Sequence, residues 1–291
     1  MTRRTAIAAI GALPLVLGSR GGAGRAAQEA WAPLFDGTDL RGWDTYLGKP
    51  FPGVDIPGEP RDERGQYLQP VGVNRDPSRV FSIVSMDGEP AIRISGEVYG
   101  ALTTRAEHEN YHLRFEFKWG ERRWPPRAQA VRDSGCLYHA VGHHGASYGF
   151  WMQSFEFQIQ EGDCGDFYGL AGVLADAEAV SPDPGNPKSD PIYRKGAPRA
   201  IGVSRRIIKD ADHEKPSGQW NALELYCLGS TSAHVVNGRV AMVLTGLRRT
   251  VDGRAVPLTK GRIQLQSEAA EVFYRRIAIR RIDALPRSIL A

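Results

Sequence analysis

The sequence predicts an all-β protein built as an antiparallel two-sheet sandwich. Many short segments alternate apolar and polar residues, and sustained helical periodicity is scarce. The 33 glycines and 19 prolines among 291 residues supply the turns that such a fold needs. With 42% hydrophobic and 24% charged residues, the composition is that of an ordinary globular protein rather than a disordered one.

The two clearest strands are Tyr111–Trp119 and Ser154–Gln160. The first places Leu113, Phe115, Phe117 and Trp119 on one face, and the second does the same with Phe155, Phe157 and Ile159. Eight further segments have the same style and are predicted strands: Val80–Val84, Ala91–Ser95, Gly135–Ala140, Trp220–Leu228, Ala233–Val236, Val240–Leu244, Arg262–Ser267 and Val272–Ile282.

Turns and loops divide these strands. Asn237-Gly238 predicts a two-residue hairpin, because both central positions of a type I′ turn need positive φ. The segments Leu47–Ser78 and Ala175–Pro216 show no period and are expected to be long loops. The strands on both sides of each loop show the same alternation of apolar and polar residues, so residues 27–291 are expected to form a single domain.

Residues 1–26 have the pattern of an export signal. A basic start with Arg3-Arg4 precedes a mostly apolar run over Thr5–Gly18 and a small-residue zone that ends at Ala26. The apolar core of about 12 residues is shorter than the roughly 20 that a membrane span requires. We therefore expect a periplasmic or secreted protein without a stable membrane span. The arginine pair hints at twin-arginine export, although the usual residues after it are missing.

Loss of this segment would remove the net charge. The whole chain has 37 basic and 33 acidic residues, a net charge of +4, and residues 1–26 contain four arginines and no acid. The remaining chain has 33 of each, which argues against nucleic acid as a partner and favours a neutral ligand such as a small carbohydrate. The oligomeric state is left open. The cysteines Cys136, Cys164 and Cys227 allow one disulfide in an exported protein, with no pairing fixed by spacing.

A polar row predicts the functional site. Glu156, Gln158 and Gln160 share the strand face opposite Phe155, Phe157 and Ile159, so this face is either a solvated surface or a ligand site. Nearby aromatic residues favour a sugar site, because rings stack on sugars while amides and acids bind hydroxyls. The other candidates for binding sugar are Arg132, Tyr148, Trp151, Asp166 and Tyr168.

Acids and histidines around this row supply candidates for catalysis. Glu156, His139 and Asp133 are the predicted catalytic residues, and Glu161, Asp163 and Asp166 are alternative acids. His143 and His144 fit a surface loop equally well. No cofactor is required by the pattern, although a divalent metal held by His139, Glu156 and Asp163 is a hypothesis.

Several segments in order resemble the 3-keto-disaccharide hydrolase family of exported bacterial proteins. They cover about residues 33–283 and comprise LFDGTDLRGW from Leu34, RDSGCLYH from Arg132, FEFQIQEGDCGDFYGL from Phe155, PSGQWNALELYC from Pro216, and the later VVNGRV, IQLQSE and FYRRIAI. The family's Asn-Ser-Gly stands here as Asp133-Ser134-Gly135, and its next arginine is replaced by His139 or shifted. The resemblance implies a concanavalin A-like (laminarinase-like) jelly roll and sugars oxidised at carbon 3.

The implied chemistry is elimination followed by hydration. A ketone at carbon 3 acidifies the carbon 2 proton, so one base can expel the glycosidic oxygen and water then adds. This chemistry would use Glu156 or His139 as the base, Gln158 and Arg132 to orient the sugar, and Asp133 or Asp166 in support. Two alternatives remain: a non-catalytic, lectin-like carbohydrate-binding protein, and a laminarinase-type hydrolase, which needs a second acid near Glu156.

Overall fold

The computed structural model describes residues 30–186 and 188–290, and the predicted export signal lies outside them. In chain order the strands are β1 (Ala32–Pro33), β2 (Trp43–Leu47), β3 (Gly72–Val73), β4 (Phe81–Met86), β5 (Glu89–Ile94), β6 (Gly100–Thr104), β7 (His108–Glu109), β8 (Tyr111–Arg123), β9 (Gly135–Val141), β10 (Gln153–Gln158), β11 (Phe167–Leu170), β12 (Val173–Val180), β13 (Ile192–Tyr193), β14 (Arg199–Val203), β15 (Arg206–Ile207), β16 (Asn221–Leu228), β17 (Thr231–Val236), β18 (Arg239–Val251), β19 (Arg254–Pro257), β20 (Lys260–Ser267) and β21 (Ala270–Arg281). A short helix, α1 (Arg287–Leu290), follows.

The strands form two antiparallel sheets, which confirms the predicted all-β jelly-roll sandwich. The larger sheet has 12 strands, and its main path runs β13-β12-β18-β17-β16-β8-β21-β5-β4. The smaller sheet has nine, and its main path runs β15-β11-β10-β9-β20-β6-β2-β3. Among the described residues, no helix is long and apolar enough to cross a membrane.

Alternation along each strand builds the core between the sheets. Phe115 and Phe117 of β8 meet Phe155 and Phe157 of β10 in one buried cluster. Each such side chain contributes about 1.5–3 kcal/mol when it is fully removed from water. The polar residues of β10 therefore point away from the core, on the outer face of the nine-stranded sheet.

The predicted hairpin is confirmed, whereas one predicted loop is wrong in part. Asn237 and Gly238 have φ of 50° and 77° and join β17 to β18. The segment Ala175–Pro216 contains most of β12 and all of β13, β14 and β15. The small residues Ala175 and Ala177 occupy the core side of β12, and their weak hydrophobicity hides the strand period.

The other long segment, Leu47–Ser78, contains only the short strand β3 but is packed. Tyr67 is buried and its hydroxyl accepts from the Ile56 amide and donates to the Val54 carbonyl. Arg75 pairs with the buried Glu59 at 2.6 Å. The three cysteines are buried and free, so the structure contains none of the disulfides that the sequence allowed.

Candidate functional site

The polar row on β10 is covered rather than solvated. Glu156 and Gln158 are 4% and 5% exposed, although they lie on the face that points away from the core. Gln266 of β20 and Asp133 of the β8–β9 connection lie beside Glu156, so a surface position on the sheet has become an enclosed polar site.

Strand register brings further polar residues to this face. Glu156 lies opposite Leu137 of β9, and Gln158 lies opposite Gly135. Just before β9 begins, Asp133 pairs with Glu268 in an isolated antiparallel bridge. The Gln160 amide donates to Asp133 Oδ2 at 3.4 Å, so Asp133 sits between Gln160 and Glu268.

Gly135 makes room at the centre of the site. A Cβ atom there would lie 2.2 Å from Glu156 Oε1 and 2.6 Å from Gln266 Oε1, both closer than real contacts allow. The absent side chain therefore lets the Glu156 carboxyl and the Gln266 amide meet over the backbone of β9.

The site contains three carboxyl groups and one guanidinium. Arg127 Nη2 lies 2.8 Å from Asp133 Oδ2, and Arg127 Nη1 lies 3.9 Å from Glu268 Oε1. Burial raises the pKa of Asp133 to about 7, with the Arg127 charge opposing the rise. Burial, and secondarily the charge of Asp133, raises the pKa of Glu156 and of Glu268 well above the usual range. One cation thus balances one ionised carboxylate, and two carboxyl groups keep their protons near neutral pH.

Three buried polar atoms in this cluster have no hydrogen-bond partner among the described residues. They are Asp133 Oδ1, Gln266 Oε1 and Arg127 Nε. Buried polar groups are nearly always paired, so such a concentration within one cluster is typical of a place prepared for a polar ligand.

An aromatic wall adjoins the carboxyl groups on the same face. Tyr99, Trp151 and Leu137 are buried in one small cluster, against which Phe51, Phe150 and Trp124 pack. Trp151 is fixed by donation from its indole nitrogen to the Gly100 carbonyl at 3.0 Å. Tyr148, by contrast, is 80% exposed, with its ring 6.3 Å from Trp151. Tyr168 is half-buried and lies opposite Glu156 on β11.

His139 does not join Glu156, contrary to the expected convergence. It occupies a β-bulge at φ 49°, its Nδ1 is 3.1 Å from the Leu258 carbonyl oxygen, and its ring packs against Tyr111 and Phe155 in the core. Burial lowers its pKa to about 4, so it is neutral at physiological pH. The bulge interrupts strict alternation, which is why sequence position alone assigned the wrong face.

Three charged candidates are occupied elsewhere. Arg132 pairs with Glu161 at 2.8 Å, and Arg127 is the cation beside the carboxyl cluster instead. The fully buried Asp166 accepts from the Arg206 guanidinium and from the Lys209 backbone amide. Asp163 also pairs with Arg206, at 2.9 Å. Asp163 and Asp166 therefore stabilise the loop between β10 and β11.

The three residues of the hypothetical metal site do not lie together in the structure. His139 is on the core side of the sheet, Glu156 is on the outer face, and Asp163 is bound by Arg206. Across residues 30–186 and 188–290, no group of three or more His, Cys, Asp or Glu side chains is arranged to hold a metal ion. His143 is exposed, and His144 stacks on Tyr46.

Sequence reasoning missed Arg127, Gln266 and Glu268. The segment IQLQSE alternates Gln264, Gln266 and Glu268 with Ile263 and Leu265, the same pattern as FEFQIQ on β10. Comparing the two segments would have found the second polar row. No local pattern marks Arg127, which reaches the site only through the path of the β8–β9 connection.

A separate groove, of about 540 Å³, lies on the outer face of the 12-stranded sheet. Its carboxylates are already bound: Glu116 by Arg275 and Arg276, and Glu224 by His112 and Tyr226. The groove therefore lacks the unpartnered buried acids that distinguish the Glu156 face.

Fold and site together define a jelly-roll protein whose acids, amides and aromatic rings suit a carbohydrate-related function. The family model for 3-keto-alpha-glucoside-1,2-lyase-like domains matches residues 30–280, and the chain belongs to this family. No curated protein matches the chain by sequence.

Solved structures with similar folds include two Parabacteroides distasonis proteins described as candidate glycosyl hydrolases. One is 18% identical, with a TM-score of 0.46 over 87% of this chain and 100% of its own. The other is 14% identical, with a TM-score of 0.46 over 87% of this chain and 94% of its own. A Bacillus licheniformis β-glucanase is 8% identical, with a TM-score of 0.40 over 89% and 100%. Identities this low do not extend the activities of these proteins to this chain.

Proposed function

We propose that this protein is an exported enzyme that cleaves 3-keto-glycosides by elimination and hydration. The observation that carries the proposal is the buried cluster of Asp133, Glu156 and Glu268 around one guanidinium, with Asp133 Oδ1 left unpartnered. A site that only binds sugar has no need to bury more carboxyl groups than it can neutralise. Family membership supports the choice of a carbohydrate substrate.

Asp133 is the base in this proposal. Arg127 contacts its Oδ2 and favours the ionised form, while the buried Oδ1 remains free to accept a proton. A pKa of about 7 suits a general base at neutral pH, because the group is ionised yet still basic. Oδ1 would take the proton from carbon 2 of the keto sugar, and the electron pair would pass to the ketone oxygen.

Glu156 and Gln266 then face the developing enolate. The raised pKa of Glu156 keeps this carboxyl protonated, so it donates a hydrogen bond to the negative oxygen at carbon 3. The exposed ring of Tyr148, which borders Trp151, would stack on the sugar, and Gln158 would orient it by amide contacts. This assignment replaces Glu156 as the base, because a carboxyl that holds its proton serves better as a donor.

The test compares glucosides that differ only in oxidation at carbon 3. Purified protein is incubated with para-nitrophenyl glucoside and with its 3-keto form, and released nitrophenol is measured. Turnover of the keto form alone is expected, and deuterium from solvent should enter carbon 2 of the product. Asp133→Asn should lower the rate by about 10²–10⁴-fold with the fold retained. Glu156→Met, which keeps the size but removes the hydrogen-bond donor, should lower it by about 10²–10³-fold. An unchanged rate in Asp133→Asn would contradict its role as the base.

A second candidate function is two-carboxylate glycoside hydrolysis. The structure supplies the further acids that this reading required, since Asp133 and Glu268 share the outer face with Glu156. A retaining enzyme of that type would hydrolyse the ordinary glucoside without incorporating deuterium at carbon 2. Binding of both sugars with turnover of neither would instead identify a lectin-like protein.

Export is a separate part of the proposal and rests on the pattern of residues 1–26. Fractionation of a bacterial host that makes the full chain should recover the protein outside the cytoplasm, shortened at its N-terminus. If export uses the twin-arginine route, replacing Arg3-Arg4 by lysines should block it. Retention of the unmodified full-length chain in the cytoplasm would contradict export by any route.

A further inference from the structure

Of the three clustered carboxyl groups, Glu268 lies nearest to solvent. Its side chain is 15% exposed, against 5% for Asp133, and Glu156 is 4% exposed as a residue. Arg127, at 29%, forms the rim beside it. A leaving group must depart toward solvent, so a proton donor for that group belongs at this rim rather than at the buried end.

The contacts of Arg127 indicate which of the two bridged residues, Asp133 or Glu268, is ionised. The guanidinium is in direct contact with Asp133 at 2.8 Å but is 3.9 Å from Glu268, so the negative charge is best placed on Asp133. Two adjacent carboxyl groups cannot both ionise cheaply in a buried site, and Glu268 therefore holds the proton. Burial and the charge on Asp133 both raise the pKa of Glu268, in agreement with this division.

We propose that Glu268 is the general acid that protonates the departing glycosidic oxygen, an inference that rests on the proposed function. As Asp133 removes the carbon 2 proton, a double bond forms between carbons 1 and 2. The bond from carbon 1 to the glycosidic oxygen breaks, and the Glu268 proton passes to that oxygen. The products are an unsaturated keto sugar and a free alcohol, with Asp133 protonated and Glu268 ionised.

Hydration returns both residues to their starting states. Ionised Glu268 takes a proton from water as the water oxygen bonds to carbon 1. The proton on Asp133 exchanges with solvent while the unsaturated sugar is bound, and Asp133 then delivers a proton to carbon 2. Water is the only co-reactant, and the isolated bridge between Asp133 and Glu268 keeps donor and acceptor side by side for both half-reactions.

The test varies the leaving group. Glu268→Gln is compared with the unmodified enzyme on two 3-keto-glucosides, one with a para-nitrophenyl and one with a methyl leaving group. Nitrophenoxide departs without a proton, whereas methoxide does not. We expect the variant to lose about 10²–10⁴-fold on the methyl glucoside and less than about tenfold on the nitrophenyl glucoside. Exposed Glu121→Gln, on β8, is the matched control and should keep both rates.

Two further readouts separate chemistry from structure. Glu268→Gln should still exchange the carbon 2 proton with deuterated water, because Asp133 remains, whereas Asp133→Asn should not. In Glu268→Ala, added acetic acid should restore part of the rate on the methyl glucoside. Equal losses on both substrates, or no loss on either, would overturn the role of Glu268. Failure of the unmodified enzyme on both 3-keto-glucosides would overturn the proposed function itself.

Discussion

The ionisation of single residues follows from how the site distributes one positive charge among three acids. Arg127 contacts Asp133 directly, while Glu156 and Glu268 are buried without an equally close cation. Burial and one guanidinium therefore decide which of the three carboxyl groups are protonated. Single substitutions can change either influence.

The first prediction concerns pH. Because the ionised form of Asp133 is the proposed base and its pKa is raised to about 7, kcat/KM on a 3-keto-glucoside should fall about tenfold for each pH unit below that value. A rate profile from pH 5 to pH 9 on the nitrophenyl substrate measures this limb. A profile that stays flat down to pH 5 would exclude Asp133 as the group that titrates.

The second prediction concerns Gly135. An added methyl group would displace the Glu156 and Gln266 side-chain ends, which are flexible, so the cost should fall on activity rather than on folding. Gly135→Ala should lose on the order of 10²-fold in kcat/KM, as small misplacements of reacting groups do. Gly185→Ala, in an exposed loop with only one distant neighbour, is the control. If Gly135→Ala unfolded enough of the protein to explain its lower kcat/KM, this account would be contradicted.

At the scale of elements, β10 supplies Glu156, β20 supplies Gln266 and is followed directly by Glu268, and the β8–β9 connection supplies both Asp133 and the cation Arg127. The connection is held at its start by donation from the Trp124 amide to the Ala269 carbonyl and from the Trp124 indole to the Ser95 carbonyl. Arg127 follows three residues later, which fixes its guanidinium against Asp133.

The third prediction removes that cation. Arg127→Gln leaves Asp133 without the charge that favours ionisation, so the acid limb of the rate profile should move to higher pH. The pH profiles of the variant and of exposed Arg122→Gln, which should keep the original limb, provide the measurement. An unshifted limb would show that Arg127 does not control the base.

Much of this arrangement could be predicted from sequence, since period-two alternation assigned Glu156 and Gln158 to one face and the phenylalanines to the other. The prediction failed at His139 because a bulge reverses the expected side. The sequence pattern also gave no sign of the ion pairs that Arg132 and Asp166 make with Glu161, Arg206 and Lys209, because loop packing sets them. The bridge between Asp133 and Glu268 joins residues far apart in the chain, and no local pattern encodes it.

At the scale of the whole molecule, the sandwich buries titratable side chains in the core between its sheets as well as in the acidic cluster on its outer face. His234 stacks on Phe157, with ring centroids 4.3 Å apart, and its Nε2 is 3.2 Å from the Tyr138 hydroxyl. Burial lowers the pKa of His139 and of His234 from 6.5 to about 4. Both rings are thus neutral members of the core.

The fourth prediction is acid sensitivity of the fold. Unfolded histidine binds a proton below pH 6.5 while these two do not until about pH 4, so stability falls as pH decreases across that window. Each should contribute a loss of about 3 kcal/mol in the free energy of unfolding. His139→Asn suits the positive φ and should flatten the denaturant-measured pH dependence, whereas exposed His143→Asn should not. Equal slopes in both variants would contradict the prediction.

The two faces of the sandwich differ in what they carry. Strand β1 pairs with β21 in the 12-stranded sheet, and Ile289 of α1 packs on the outer face of that sheet against Tyr226 and Val235. The acidic cluster belongs to the opposite outer face. A support or fusion partner attached through the helix α1 would therefore leave the acidic cluster facing the medium, which makes α1 a suitable point of immobilisation for substrate screening.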